Sequence, residues 1–162
     1  MYESTLCYLE YRGSFLMLLR NKKQHDLNEG KWVGVGGKLQ PGETPDECLV
    51  REVREETGFE LASFEQRGII RFESDVWESE VMYLYAAVPL LPAPAEGEGL
   101  PVPECDEGTF AWIPRDGLFD LPTWEGDRLF LEPLLAGEGG IRLTVRYEGD
   151  ALVEVRDGVD RV

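Results

Sequence analysis

The stretch GKLQPGETPDECLVREVREETGF, residues 37–59, predicts a loop, a helix and a second loop. Thr44 suits the N-cap because its hydroxyl can accept a hydrogen bond from a free backbone N–H, and Glu47 three residues later completes a capping box. Pro45 fits the first helical position, where no backbone N–H is required. Gly58 suits the left-handed residue that ends a helix. The local sequence therefore predicts both ends of this helix.

The predicted helix concentrates acids on one side. Glu52, Glu55 and Glu56 stand at i, i+3 and i+4, so helical geometry gives their carboxylates one shared patch of surface. Leu49 and Val53 form an apolar side. Like charges at these spacings destabilise a helix, although an acid-rich helix face is usually just a solvated surface.

Three features favour a bound cation over a solvated face. Arg51 and Arg54 are the only bases among the acids, so lysines do not offset the charge. The glycine-rich segment KWVGVGGK, residues 31–38, leads toward the helix and allows close backbone approach. Hard divalent cations such as Mg²⁺ and Mn²⁺ prefer carboxylate and carbonyl oxygens, and substrate phosphates often complete their shell. The pattern therefore indicates a site for a metal and a polyphosphate.

Other phosphate and metal signatures do not match. GVGGKL, residues 34–39, lacks the first glycine and the Ser/Thr of a P-loop, and the dinucleotide fingerprint lacks its third glycine. The ligand spacing of an EF-hand is absent as well. His25 is the single histidine, which argues against the common zinc sites and against a Ser/His/Asp triad.

The composition is typical of one compact domain. The chain has 162 residues, of which 43% are hydrophobic, so we expect a single domain over residues 1–162 with a substantial core. The net charge of −16 argues against duplex nucleic acid as a partner, because such binders present a basic face. An anionic ligand would need a bound cation or a small local cluster of bases.

The sequence indicates a cytoplasmic protein without a membrane partner. Residues 1–10, MYESTLCYLE, lack the basic and apolar regions of a signal peptide, and no apolar run approaches the ~20 residues of a membrane span. Cys7, Cys48 and Cys105 are odd in number and widely spaced. We therefore expect free thiols rather than a disulfide framework.

Strands and helices alternate along the rest of the chain. Residues 91–104, rich in Pro and Gly, predict a surface loop, and a helical pattern runs from about Trp124 to Leu135 with Pro133 in its last turn. Apolar runs predict strands at residues 4–10, 14–20, 32–35, 67–74, 79–90 and 108–114, and a terminal hairpin of 141–147 with 151–157. This order predicts a layered α/β or α+β domain, with helices covering a mixed sheet.

The opening stretch resembles the Nudix box, G-x5-E-x7-R-E-U-x-E-E-x-G-U, in which U is apolar. Every fixed position matches: Gly37, Glu43, Arg51, Glu52, Val53, Glu55, Glu56, Gly58 and Phe59. KWVGVGGK before the box, DEGTFAW at 106–112 and LPTWEGDRLFLEPLL at 121–135 are similar to the MutT-type nucleoside triphosphate branch of that family. The resemblance covers most of the chain, and the box is its most specific part.

The resemblance implies a fold and a metal centre. The fold would be a mixed β-sheet sandwiched between helices, with the box as a loop-helix-loop catalytic motif. Members of the family mostly hydrolyse a nucleoside diphosphate linked to another group, with Mg²⁺ or Mn²⁺ as cofactor. Matching by position, the metal ligands would be the carboxylates of Glu52, Glu55, Glu56 and Glu107 and the backbone carbonyl of Gly36.

The same resemblance implies roles in catalysis. Metal ions would neutralise phosphate oxygens and lower the pKa of a bound water, and a carboxylate would remove its proton. Glu52, Glu56 and Glu107 are all candidates for that general base, because the role varies within the family. Arg51 would orient a glutamate through an ion pair, and Glu43 would fix the loop.

The expected substrate contacts lie on both sides of the box. Lysines would offset phosphate charge, Trp124 would stack on the base, and Asp127 would bind its edge. The full set of expected substrate contacts is Lys22, Lys23, Trp32, Gly37, Lys38, Trp124 and Asp127. Lys22 and Lys23 fit ordinary surface lysines equally well, and Trp32 fits a core residue equally well. Val33 stands where oxidised-purine relatives can have Asn, which argues against that selectivity.

The sequence therefore favours Mg²⁺-dependent hydrolysis of a nucleoside triphosphate to the monophosphate and pyrophosphate, including oxidised purine nucleotides such as 8-oxo-dGTP. A nucleotide sugar, a dinucleoside polyphosphate or a capped RNA end is an alternative substrate. A non-catalytic Nudix domain that senses a nucleotide is the alternative from another class. The protein would act as a monomer or a homodimer on a small-molecule nucleotide.

The crowded carboxylates predict a stabilising effect of the metal. Millimolar Mg²⁺ is expected to raise the melting temperature near neutral pH, because a ligand that binds only the folded state stabilises it. Thermal unfolding with and without Mg²⁺, at matched ionic strength, measures this effect. An unchanged melting temperature would count against the metal assignment.

Overall fold

The computed structural model describes residues 1–22 and 26–159, so the predicted substrate residue Lys23 lies outside the described residues. Within them, the strands are β1 (Tyr2–Tyr11), β2 (Ser14–Leu19), β3 (Trp32–Val33), β4 (Leu61–Ser74), β5 (Glu80–Pro89), β6 (Thr109–Pro114), β7 (Ile141–Glu148) and β8 (Ala151–Asp157). The helices are α1 (Pro45–Thr57), a 3-10 helix (Arg115–Asp120) and α2 (Asp127–Leu135). Neither α-helix in this part of the chain is long and apolar enough to cross a membrane.

The described strands form one mixed sheet, as the sequence predicts. Their order is β3-β2-β1-β5-β4-β7-β8, and β6 pairs with β2. The β1–β5 and β4–β7 pairs are parallel, whereas the other pairs are antiparallel. On β2, residues 14–16 pair with β1 and residues 18–19 pair with β3, while β6 pairs along residues 14–19. β1 and β3 therefore share one edge of β2.

The two α-helices cover opposite faces of the sheet. Cys7 of β1 packs in one buried cluster with Leu49 and Val53 of α1. Tyr8, the next residue of β1, packs in the other cluster with Phe130 of α2. Since successive side chains of a strand point to opposite faces, α1 and α2 lie on different sides. The predicted sheet between helices is confirmed.

Local side-chain chemistry fixes α1. Thr44 Oγ1 accepts from the N–H of Glu47 at 3.2 Å, and the N–H of Thr44 donates to Glu47 Oε1 at 3.1 Å, which confirms the capping box. Gly58 has φ 76° and ends the helix by donating its N–H to the carbonyl of Arg54 at 2.8 Å. The helix therefore begins and ends where the sequence predicts.

Other boundaries differ from the prediction. β4 begins at Leu61 rather than at the predicted residue 67. The sequence did not predict residues 61–66 as a strand because their side chains are mostly exposed, and register shifts against β5 interrupt the alternation of buried and exposed positions. The helix predicted from about Trp124 to Leu135 is present, but it begins later, at Asp127, because a turn at residues 125–126 precedes it. The predicted free thiols are confirmed, with Cys7 and Cys48 buried and Cys105 half-buried.

The glycine-rich segment crosses from β2 to β1. After β3 ends, the N–H of Cys7 donates to the carbonyl of Val35 at 2.7 Å, and the N–H of Thr5 donates to the carbonyl of Gly37 at 2.9 Å. Residues 35–38 thus run antiparallel to the first half of β1. This pairing sets the distance between the sheet and the start of α1.

Replacing Leu49 with Ala is expected to lower the free energy of unfolding by about 2–5 kcal/mol, because this fully buried side chain joins α1 to the sheet. The matched control is Val50→Ala on the next, half-buried position, for which a smaller loss is expected. Urea unfolding of both variants measures the difference. Equal losses would contradict the packing of α1 described above.

Candidate active site

Two glycines allow the box loop to approach its neighbours. A Cβ on Gly36 would lie 1.9 Å from the backbone oxygen of Thr5, a distance that no side chain tolerates. A Cβ on Gly37 would lie 2.5–2.7 Å from the carboxylate atoms of Glu52. The loop backbone therefore lies directly between β1 and the acids of α1.

Arg51 gathers the acids on one side of the box. Its Nε donates to Glu43 Oε2 at 2.7 Å, and its Nη1 donates to Glu52 Oε1 at 2.8 Å and to Glu55 Oε2 at 3.0 Å. Its Nη2 donates to Glu43 Oε1 at 2.9 Å and to the carbonyl of Lys38 at 3.1 Å. The guanidinium therefore compensates three carboxylates and ties α1 to the loop.

Glu43 fixes the turn before the helix. Besides the ion pair with Arg51, its Oε1 accepts from the N–H of Gln40 at 2.9 Å. These hydrogen bonds lower the pKa of Glu43 to about 2, and the bond from Arg51 has the largest effect. Glu43 is thus ionised at neutral pH and stabilises the loop conformation.

Glu56 lacks such compensation. Among the described residues, no group donates a hydrogen bond to its buried Oε2. Burial, and then the charges of Glu52 and Glu107, raise the pKa of Glu56 to about 8, against smaller opposing effects from the backbone of Gly36 and from Arg20. A nearby positive charge would stabilise this carboxylate.

Two further acids act on Glu56. Burial raises the pKa of Glu52, although Arg51 opposes this effect. Glu107 lies just before β6 and accepts at Oε2 from Arg20 Nη1 at 2.9 Å. Arg20 also donates from Nε to Asp26 Oδ2 at 2.7 Å. The fold therefore brings Glu107 into electrostatic range of the box from a distant part of the sequence.

The acids do not form a finished metal cage by themselves. Across residues 1–22 and 26–159, no three His, Cys, Asp or Glu side chains lie close enough together to hold a metal ion unaided. Glu55 has 59% of its side chain exposed and lies against Arg51. The orphaned oxygen of Glu56 and the raised pKa of Glu52 nevertheless fit a hard divalent cation, with water or phosphate oxygens completing its shell.

A cavity extends from the glycine loop across the α2 face of the sheet. Its floor comes from β1, β4, β5 and β7, one wall from residues 33–38, and the other wall from the segments around Asn28 and Trp124. The lining includes Tyr2, Ser4, Leu6, Tyr8, Arg20, Asn28, Gly36, Gly37, Lys38, Phe72, Glu80, Met82, Trp124, Asp127, Val145 and Tyr147. The cavity therefore joins an aromatic end to the loop that borders the acids.

Trp124 is held firmly at the aromatic end. It is 5% exposed, and its ring lies edge-on to Phe72 and Tyr147, with centroid distances of 5.3 and 4.7 Å. Its Nε1 donates to Asn28 Oδ1 at 2.8 Å, and Lys31 Nζ lies 4.3 Å from the ring centroid. Trp124 is thus both a core residue and a cavity residue.

Asp127 is a half-buried acid at the aromatic end of the cavity. Burial raises its pKa to about 7, while the charge of Lys31 and a backbone hydrogen bond from Trp124 lower it. A carboxyl group with this pKa exists in both protonation states near neutral pH. It can therefore donate a hydrogen bond to a ligand or accept one from it.

The remaining predicted contacts divide into two groups. Lys38 lines the cavity, with its Nζ 4.3 Å from the centroid of the Tyr2 ring. Lys22 is exposed and donates to the carbonyl of Cys105 at 2.8 Å, and Trp32 packs half-buried against the cluster that contains Trp124. Among the described residues, neither Lys22 nor Trp32 lines the cavity.

Sequence reasoning missed most of the cavity lining, including three charged or amide side chains. Arg20 ends an apolar run, and a charged residue at the end of a strand was the signal that could have identified it. Asn28 comes from a polar loop that gave no signal. Glu80 is buried and accepts from Ser4 Oγ at 2.8 Å, yet it reads as an ordinary charged residue at the start of a strand.

Comparison with known proteins agrees with this geometry. Residues 4–134 match the NUDIX domain. The chain is 29% identical over 147 residues to the uncharacterized Nudix hydrolase YvcI of Bacillus subtilis, covering 88% of this chain and 85% of that protein. It is 31% identical over 140 residues to the oxidized purine nucleoside triphosphate hydrolase of Danio rerio, covering 85% and 83%.

A solved structure agrees over nearly the whole chain. The MutT protein from Bacillus halodurans has a TM-score of 0.78 and 26% identity, covering 96% of this chain and 97% of that one. The match to the NUDIX domain includes the loop, α1 and every acid discussed above. The protein belongs to the Nudix hydrolase family.

Proposed function

We propose that this Nudix hydrolase converts a nucleoside triphosphate to the nucleoside monophosphate and pyrophosphate with Mg²⁺, and that it accepts oxidised purine nucleotides such as 8-oxo-dGTP. The observation that carries the proposal is the continuity of the cavity, which runs from Trp124 and Asp127 to the loop at Gly36 and Gly37. A base and its phosphates fit these two ends. The relative from Danio rerio, named an oxidized purine nucleoside triphosphate hydrolase, supports this substrate class.

The aromatic end suits a purine. Trp124, Phe72 and Tyr8 line this end of the cavity with aromatic rings, which suit contact with a flat base. Purine edges combine donors and acceptors, and Asp127, with a pKa of about 7, can bind either kind. Asn28 adds an amide to the same wall, and its Oδ1 accepts from Trp124 Nε1.

The phosphate end supplies positive charge and close backbone contact. Lys38 and Arg20 line it, together with the main chain of Gly36 and Gly37. These groups offset the substrate's charge on a protein whose net charge is −16. They also direct the phosphates toward α1.

The acids of the box supply the metal site and the base. Glu52, Glu56 and Glu107, with the carbonyl of Gly36, would hold the cation, and Glu55 would contribute from its outer position. When bound, Mg²⁺ supplies neutralisation of phosphate oxygens and acidification of a water ligand. The general base is one of the three inner glutamates, and Arg51 and Arg20 hold two of them in place.

Turnover of a substrate panel in Mg²⁺ tests the proposal. Triphosphates are expected to yield monophosphate and pyrophosphate, with higher kcat/KM for 8-oxo-dGTP and dGTP than for dCTP or dTTP. Asp127→Asn is expected to lower the purine-to-pyrimidine ratio about tenfold, because the amide cannot ionise.

The products discriminate among the alternatives. Without pyrophosphate from triphosphates, release of sugar phosphate would favour a nucleotide sugar. Release of two mononucleotides would favour a dinucleoside polyphosphate, and release of a cap nucleotide with 5′-phosphorylated RNA would favour a capped RNA end. Nucleotide binding without any turnover would indicate a sensing domain. Any of these results would contradict the proposed reaction.

Glu56 is expected to couple cation binding to proton release. Its pKa is about 8, so at lower pH the cation must displace a proton, and the apparent Mg²⁺ affinity should rise by up to about tenfold per pH unit. Folding raises the pKa of Glu56 from its ordinary value of 4.5 to about 8, so the folded state binds a proton that the unfolded state has lost. In EDTA, the free energy of unfolding should therefore fall as the pH rises from about 4.5 to about 8. Calorimetry and urea unfolding measure the two effects.

Glu56→Gln should remove both pH dependences and lower kcat at least about a hundredfold, because the amide provides neither charge nor a basic oxygen. Glu60→Gln is the matched control, since Glu60 is an exposed acid paired with Arg54 outside the cavity. Unchanged turnover in Glu56→Gln would mean that the metal-ligand assignment is wrong.

A further inference from the structure

Lys31 is a lysine with a fixed position just before β3. Its N–H donates to the carbonyl of Asn28 at 2.9 Å, and its carbonyl accepts from the N–H of Arg20 at 3.0 Å. Its ammonium lies 3.3 Å from Asp150 Oδ1 at the β7–β8 turn, and only 17% of its side chain is exposed. Both the main chain and the charged group of Lys31 are therefore held.

The ammonium of Lys31 packs against the ring of Trp124, 4.3 Å from its centroid. Lys31 is not among the described residues that line the cavity, whereas Trp124 is, so the contact lies behind the cavity wall. Phe72 and Tyr147 hold the ring through edge contacts. A cation over the ring adds attraction to the aromatic face and fixes the ring orientation.

The charge of the same ammonium also acts on Asp127. Lys31 is the cation that favours the ionised form of this carboxyl, against the stronger effect of burial. Burial, and then the charge of Asp127, raise the pKa values of the hydroxyl groups of Tyr8 from β1 and Tyr147 from β7, so both tyrosines remain neutral well above pH 7.

The other charges around Asp127 are placed differently. Glu125 in the preceding turn acts on Tyr147. On α2 itself, Arg128 Nε donates to Glu132 at 2.7 Å, and both side chains are more than half exposed. Lys31 therefore differs from these groups in being both partly buried and directed at the wall of the cavity.

We infer that Lys31 is a positioning residue for base recognition, which holds the ring of Trp124 and supplies the positive charge that acts on Asp127. The inference rests on the proposed function in one respect, that the base occupies the aromatic end of the cavity. Lys31 acts through these two residues and does not contact the substrate. Its effect therefore appears in base selectivity and in the protonation of Asp127.

The first experiment measures Asp127 without nucleotide. The carboxyl of Asp127 is titrated by carbon-13 NMR in the full-length protein, and Asp127→Asn identifies its signal. Lys31→Met is expected to raise the midpoint by about one pH unit, because it removes the positive charge that lowers the pKa of this carboxyl. Lys31→Arg should keep the wild-type midpoint.

Arg128→Met is the matched control, because it removes the same charge from the residue next to Asp127 on the exposed side of α2. It should leave the midpoint near the wild-type value. An unchanged midpoint in Lys31→Met, or an equal shift in Arg128→Met, would overturn the inference. A melting temperature for each variant verifies that the fold is retained.

The second experiment separates KM from kcat. Lys31→Met should raise KM for dGTP about three- to tenfold, leave kcat within about twofold, and change KM for dCTP less, because the defect lies in base binding. Lys31→Arg should restore the wild-type KM. A fall in kcat with KM unchanged would count against a positioning role.

The two proposals can fail separately. If the wild-type protein releases no pyrophosphate from any triphosphate, the proposed function is wrong, and the NMR titration still decides whether Lys31 acts on Asp127. If wild-type turnover is as proposed and Lys31→Met matches the wild type in titration and in KM, the inference about Lys31 alone is wrong.

Discussion

The close approach of the glycine loop to β1 is the constraint on which the site depends. Thr5 and Cys7 donate backbone hydrogen bonds to residues 37 and 35, and the space at Gly36 is too small for any side chain. Because this contact is made by main chain on both sides, it fixes the loop independently of side-chain packing. The start of α1, and with it every acid of the box, is positioned from this contact.

The charges of the box divide into a compensated and an uncompensated half. Arg51 binds Glu43, Glu52 and Glu55, so most of the crowding along α1 is relieved within the protein itself. Glu56 faces inward with a buried oxygen that the described chain leaves without a donor. A single arginine thus allows three acids of the helix and one of the preceding turn to lie close together, while Glu56 stays available to a ligand.

The sequence predicts the parts of the site that depend on local spacing. The capping box, Gly58 and the acidic face of α1 follow from residues a few positions apart, and the structure has them as expected. Asn28 and Lys31 could not be predicted, because their partner Trp124 lies almost a hundred positions away. The first half of β4 was missed for another reason: its exposed side chains lack the apolar alternation by which strands are found.

β1 separates two tasks through the alternation of its side chains. Tyr2, Ser4, Leu6 and Tyr8 line the cavity, whereas Cys7 and Leu9 pack in the cluster beneath α1. A replacement at an even-numbered position therefore alters the floor on which a substrate lies and leaves the support of the catalytic helix intact. The fold can diverge in substrate range through one set of positions while the other set preserves the chemistry.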